Sequence, residues 1–346
     1  MTMNEKPTLP RFGFGGAPVG NLVKPVTDGV ATALLDRAWE HGLRYFDTAP
    51  HYGHGLSEHR IGRALRNRPP DDYILSSKVG RLLTPDPLAE RAQHKFVDVL
   101  PFTQRWDYSF DATLRSIEDS LQRLGLARLD IVYVHDLARH AHGDQFDRQF
   151  AAAMDGAMRA LERLRAEGTI AGFGLGVNEW EVCVQALAHC DMDVLLLAGR
   201  YTLADQTALP VLLPQCLDRR LQVVIGGPFN SGILASGAAP AGGGAPFFNW
   251  QAAPEHLLSR VAAIEAVCAD HRLPLKAAAL QFPLAHPAVA CVIPGVRTVD
   301  ELDENLSLMA RPIPHDFWRE LRDKHLIAPE SPIPGEQHAA AASSQR

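Results

Sequence analysis

Short apolar or β-branched runs recur along the chain, each bounded by turn residues and followed by a longer stretch with apolar positions at helical spacing. Eight runs stand out: Phe12–Gly16, Arg44–Thr48, Tyr73–Lys78, Asp130–His135, Ile170–Asn178, Val194–Ala198, Gln222–Gly226 and Ala290–Pro294. Between them lie amphipathic segments such as GVATALLDRAWEHG, FDATLRSIEDSLQRLG and DGAMRALERLRAEG, with glycine where a helix C-terminus favours it. Strand and helix in alternation build a parallel sheet. Eight alternations suit a closed barrel better than an open sheet, because the dinucleotide fingerprint of the open fold is missing. The glycine-rich run FGFGGAPVG carries little weight by itself. The expected fold is α/β, a single (β/α)8 TIM barrel over residues 8–330, with residues 331–346 as a disordered tail. Gly80–Ser109 is the longest loop, and SGAAPAGGGAP, Ser236–Pro246, has the composition of a mobile surface loop or lid.

Composition narrows the partners. The 346 residues suffice to bury a substantial core, and a net charge of −6 with 21% charged residues leaves no basic surface for nucleic acid. No run reaches the ~20 apolar residues that span a bilayer, and MTMNEKPTLP lacks a signal-peptide core. The five cysteines are scattered, with no Cys-x-x-Cys pair, as expected of reduced thiols in a cytoplasmic protein.

In such a barrel the C-terminal strand ends carry the site. Asp47 ends the second run, Tyr52 follows in its loop, Lys78 ends the third run and His135 ends the fourth. Each has an ordinary reading alone: a capping aspartate, a packed tyrosine, a solvated lysine or histidine. On three successive strand ends they form a candidate constellation. A metal reading of His51, His54 and His59 finds no second cluster, and no metal is expected.

The stretch DTAPHYGHGLSE resembles the signature of the aldo-keto reductases, and SLQRLGLARLDIVYVHD, GFGLGVN and VIPGVRTVDELDENL are similar to later landmarks of that family, in order. The resemblance runs from Arg11 to Arg311. It implies that Asp47, Tyr52, Lys78 and His135 are the catalytic tetrad, and that a nicotinamide cofactor binds at the barrel mouth. Asn178 corresponds to the residue that holds the nicotinamide carboxamide. Val177, Ala198 and Gly226 depart from the common serine, glutamine and tyrosine. GGPFNSGIL resembles the loop around the cofactor pyrophosphate, with Phe229, Asn230 and Gly232 as contacts alongside Gly226. A plain turn is the other reading of that segment.

The chemistry also asks for these residue types. A phenol with a pKa near 10 exchanges protons at neutral pH only when its phenolate is stabilised, which an ammonium from Lys78 would do. Asp47 would orient Lys78, and His135 would hydrogen-bond the reacting oxygen. For the cofactor, NAD or NADP, the resemblance favours NAD. Gly295 and Glu301 stand where phosphate-preferring relatives have lysine and arginine, and Glu301 or Glu304 offers a ribose hydroxyl an acceptor, with Asn305 beside them. Arg297 in the same turn argues the other way, and ordinary helix-start charges are the other reading of these residues. IGGPFNSGIL and LLAGRYTL are most similar to the L-fucose, D-threo-aldose and pyridoxal dehydrogenase branch, which implies a small sugar or aldehyde substrate. His51 is close enough in sequence to line its pocket or is simply exposed to solvent, and Trp106 either faces a sugar ring or packs. A general aldehyde or ketone reductase, or a non-enzymatic accessory barrel that binds the cofactor, are the alternatives.

Overall fold

The computed structural model describes residues 7–240 and 243–336. All eight runs form strands: β1 Phe14–Gly15, β2 Tyr45–Asp47, β3 Ile74–Val79, β4 Ile131–His135, β5 Gly172–Val177, β6 Val194–Ala198, β7 Gln222–Gly226 and β8 Val289–Ile293. They pair in chain order as a parallel sheet. Parallel bridges Phe12–Val292 and Gly15–Gly295 bring β8 back to β1, with the Gly13 amide donating to the Val292 carbonyl at 3.0 Å. The (β/α)8 barrel expected from the alternation is therefore the observed fold.

Alternation of side chains along each strand gives two apolar layers. Tyr45, Ile131, Tyr133, Leu196, Val224 and Cys291 fill the barrel interior. A larger layer, including Phe46, Leu75, Phe173 and Leu197, lies between sheet and helices. Helices begin where side-chain caps allow: Thr27 accepts the Val30 amide before Asp28–Glu40, and Ser109 accepts the Ala112 amide before Phe110–Leu124. Gly125 then ends the second of these with φ of 64°, a conformation glycine adopts without cost.

The stretch expected as the longest loop is ordered instead. Arg81–Pro85 pairs antiparallel with Phe102–Trp106, and Ala92–Gln93 pairs with Phe96–Val97. The strands are short and interrupted by Pro85, Pro87 and Pro101, so neither period shows in the sequence. Within Ser236–Pro246, Ser236 ends the helix Ile233–Ser236, and residues 241–242 lie outside the described residues. Beyond it the hairpin Phe247–Phe248 with Gln251–Ala252 places Trp250 4.9 Å from the Lys95 ammonium. At the other end, residues 331–336 pack on the barrel: Ser331 and Ile333 are buried, and Glu336 pairs with Arg322 at 2.7 Å. The rest of the expected tail lies outside the described residues. The five cysteines are free. Among the described residues no helix is long and apolar enough to cross a membrane.

Candidate active site

Strand register builds the site. Asp47 is paired with Ser76 across β2 and β3, so Lys78, two residues on, rises from the same face. Its ammonium donates to Asp47 Oδ1 at 2.8 Å, to Oδ2 at 2.7 Å and to the Thr48 carbonyl at 2.8 Å. Ser76 adds a 2.7 Å hydrogen bond to Asp47 Oδ1. Gly176 on β5 leaves the room, because a Cβ there would stand 3.6 Å from Lys78 Cε and 3.2 Å from Tyr133 Cβ. Burial raises the Asp47 carboxyl and lowers the Lys78 ammonium, and each charge opposes the shift of the other. Truncating one partner would leave the other charge buried alone.

Tyr52 lies over this pair, with the Lys78 nitrogen 4.8 Å from its ring centroid. His135 meets Tyr52 edge to face at 5.9 Å. Burial pushes the Tyr52 phenol well above 10, reinforced by the charges of Asp47 and Asp136 and opposed by Arg81. Burial, then the positive charges of Lys78 and Arg81, hold His135 well below its usual value, so its ring is neutral. The constellation can therefore offer a protonated phenol and a neutral imidazole to one oxygen. The four sequence-derived residues thus lie in one chain of neighbours, Asp47 to Lys78 to Tyr52 to His135.

The same signature also braces the loop. Thr48 donates to Ser57 and Ser57 to the Gly16 carbonyl, both at 2.8 Å, tying the β2 loop to β1. The fully buried Glu58 accepts from Ser77 on β3 at 2.8 Å and from Arg123 at 2.6 Å. The β1 and β2 loops touch so closely that a Cβ on Gly53 would meet the Gly20 carbonyl oxygen at 2.4 Å.

His51 lies beside the tetrad, 5.6 Å from His135 ring to ring, with Nδ1 2.9 Å from Gln104 Oε1. Trp106 is engaged in packing: the Arg81 guanidinium lies 3.8 Å over its ring, and His142 meets it edge-on at 4.5 Å. Sequence reasoning missed Arg81, Gln104 and Asp136. Arg81 donates to Asp136 Oδ2 at 2.6 Å, and both side chains are largely buried beside the tetrad. Their signal was faint: Asp136 directly follows His135, and Arg81 lies three residues past Lys78.

The cofactor candidates lie on the loops after β5, β7 and β8. Asn178 directly follows β5, with Nδ2 3.4 Å from the Ala198 carbonyl. After Gly226, residues Gly227, Asn230, Ser231 and Gly232 have φ of 54°, 46°, 58° and 106°. Backbone of this kind forms an anion-binding concavity, and a Cβ on Gly227 or Gly232 would meet nothing within 4 Å. The Asn230 and Gly232 amides are spent inside the loop, on the Gly227 and Phe229 carbonyls at 3.0 Å, so a dinucleotide pyrophosphate would meet the open glycine faces and not those two amides. Asn230 fixes the loop from beneath, bonding the Gly199 carbonyl at 3.0 Å and the Thr202 hydroxyl. Phe229 packs half-buried against the core. Past β8, Gly295 packs over Pro18, and Asn305 is buried. Glu301 caps its helix by accepting the Arg297 amide at 2.7 Å, while Glu304 pairs with Lys276 at 2.7 Å. The two carboxylates expected at a ribose are thus engaged within the protein. Arg297 Nε is buried without a partner. Among the described residues no three His, Cys, Asp or Glu converge on a metal position.

A parallel eight-stranded barrel whose strand ends bring a Lys–Asp pair beneath a tyrosine and a neutral histidine is the frame of a hydride-transfer oxidoreductase. Residues 11–325 match the Aldo/keto reductase family, and the chain belongs to it as an NAD(P)-dependent enzyme. It is 42% identical over 331 residues to a pyridoxal 4-dehydrogenase of Microbacterium luteolum, covering 93% of this chain and 95% of the relative. It is 37% identical over 323 residues to a D-threo-aldose 1-dehydrogenase of a Pseudomonas species, covering 92% and 95%. The fold is similar to that of a holo aldo-keto reductase from Bacillus halodurans, with a TM-score of 0.69, 24% identity, and 90% and 91% of the two chains covered.

Proposed function

We propose that the enzyme oxidises a cyclic hemiacetal at its anomeric carbon to a lactone, with L-fucose or a sugar sharing its configuration, such as L-galactose or D-arabinose, as the leading substrate. The buried Asp47–Lys78 pair against Tyr52 carries this reading. In the reducing direction the Tyr52 phenol gives its proton to the carbonyl oxygen as hydride reaches carbon; oxidation is the reverse and draws on the phenolate, which takes the hydroxyl proton only after the phenol has lost its own. His135, neutral, hydrogen-bonds the reacting oxygen and fixes the substrate, while Asp47 holds Lys78 beside the phenol. When bound, a nicotinamide would supply the hydride acceptor; Asn178 would hold its carboxamide and the loop Gly227–Gly232 would face its pyrophosphate. NAD is favoured over NADP, because the Glu301 carboxylate in the turn after β8 repels a 2′-phosphate.

Pyridoxal is the second reading, supported by the 42% identity to a pyridoxal 4-dehydrogenase. Its aldehyde closes onto a neighbouring hydroxymethyl group, so the reacting carbon is again a hemiacetal. A panel of L-fucose, L-galactose, D-arabinose and pyridoxal, followed by reduced-cofactor absorbance with NAD and NADP, separates the readings. Lactone formation from a sugar is the expected result. Turnover of pyridoxal with none of the sugars moves the assignment to pyridoxal, and reduction of simple aldehydes alone moves it to a general reductase. Cofactor binding without turnover of any aldehyde, ketone or hemiacetal would mark an accessory barrel.

A further inference from the structure

We propose that Asp136, Arg81 and Gln104 form a subsite that reads a second hydroxyl beside the reacting carbon, so that the enzyme selects hydroxylated hemiacetals over plain aldehydes. The proposal rests on the hemiacetal reading above and names what distinguishes its substrates. Asp136 directly follows His135, and its amide donates to the Gly176 carbonyl at 3.0 Å. Its φ of 47° is one that aspartate tolerates better than most residues. This places the carboxylate Oδ2 3.6 Å from His135 Nε2. The same oxygen takes the Arg81 guanidinium at 2.6 Å, leaving Oδ1 for a donor from a ligand.

Arg81 is held rigidly. It stacks on Trp106 and donates from Nη1 to Gln104 Oε1 at 3.2 Å. Gln104 Oε1 also faces His51 Nδ1, so the carbonyl end of that amide is fully used. Its Nε2, in contrast, is buried with no partner, as are Arg81 Nε and His135 Nδ1. Buried amide donors are almost always satisfied, so an orphan beside the tetrad points to a ligand acceptor.

A buried ion pair is weak evidence of stabilisation, because apolar residues of similar volume often serve better. Its setting suggests recognition instead. An alcohol both donates and accepts, and the subsite offers one of each: the Asp136 carboxylate and the Gln104 amide. An aldose carries such a hydroxyl on the carbon next to the anomeric centre, and pyridoxal carries a ring hydroxyl one atom farther away. A plain aldehyde leaves Asp136 Oδ1 and the Gln104 amide without a partner in a desolvated pocket, which is how a polar site rejects an analogue lacking the group.

The test compares kcat/KM within matched pairs: L-fucose against 2-deoxy-L-fucose, and pyridoxal against 3-deoxypyridoxal, for wild type, Asp136→Asn and Gln104→Met. The expected wild-type preference for the hydroxylated member is about tenfold or more, the scale of a hydrogen bond to a charged group. That ratio should fall towards one in both variants. A purely structural role would lower both members in proportion, and an unchanged ratio in the two variants overturns the assignment. So does a wild-type ratio near one. Wild-type inactivity on both L-fucose and pyridoxal overturns the hemiacetal reading itself and this subsite with it, so the two failures are distinguishable.

Discussion

Burial sets the starting point of the Tyr52 proton. The sequence suggests that Lys78 favours the phenolate, yet the phenol is raised, first by desolvation and then by the charges of Asp47 and Asp136. The three hydrogens of the Lys78 ammonium go to Asp47 and Thr48, so Lys78 acts on Tyr52 as a charge against its ring and not as a hydrogen-bond donor. Replacing Tyr52 with Phe keeps the ring and removes the proton carrier. Turnover should fall by about 10²–10⁴, the span of general acid–base catalysis, while cofactor affinity measured by fluorescence stays nearly constant. Activity within a few-fold of wild type would sink the tetrad assignment. Lys78→Met removes the positive charge and leaves Asp47 beside the phenol, so the phenol rises further. Residual oxidation should then need a higher pH, and an unshifted pH profile would show that Lys78 has another task. Asp47, Lys78 and His135 were legible because each ends an apolar run. Arg81, Gln104 and Asp136 were not, because the contact between Arg81 and Asp136 spans 55 positions and one partner sits in a hairpin without visible period.

At the scale of elements, strands such as IVYVH, VLLLA and VACVI were legible because barrel strands are buried on both faces and stand out as continuous apolar runs. The helix after β8 shows where function was read into a structural signal. Thr298 and Glu301 have the T-x-x-E spacing of a capping box: Thr298 accepts the Glu301 amide at 3.1 Å, and Glu301 reaches back to the Arg297 amide. Glu301 is therefore a cap whose charge also faces the turn where a 2′-phosphate would lie. Glutamine caps in the same way without the charge. Glu301→Gln should leave kcat/KM with NAD almost unchanged and raise that with NADP about three- to tenfold, narrowing a wild-type preference for NAD. Steady-state kinetics with both cofactors checks this. A wild-type preference for NADP, lost in Arg297→Ala, would instead assign the phosphate to the Arg297 guanidinium.

Across the whole molecule, burial has collected neutral histidines, and that sets how acid destabilises the fold. His51, His54, His94, His135, His142 and His286 are all held below the ordinary value of 6.5, each chiefly by desolvation. His286 is lowered to about 4, and its Nδ1 accepts the Ala288 amide, a bond that requires the unprotonated nitrogen. The sign follows from proton counts. Above about 6.5 neither the folded nor the unfolded chain protonates these rings, so stability there is undiminished. As pH falls below that value the unfolded chain binds protons that the folded chain refuses, and stability drops until the folded groups also titrate, near 4 for His286. Carboxylates held low, such as Glu179 beside the His140 amide, add their loss at lower pH still. The melting temperature should thus be nearly flat from pH 8 to 7 and fall steadily from pH 6.5 to 4.5. His286→Gln keeps an acceptor for the Ala288 amide and removes one titrating ring, so its melting temperature should fall less over the same interval. Scanning calorimetry of both proteins at half-unit pH steps decides it: a wild-type melting temperature constant from pH 7 to 5 refutes the histidine account, and equal slopes in the two proteins remove His286 from it.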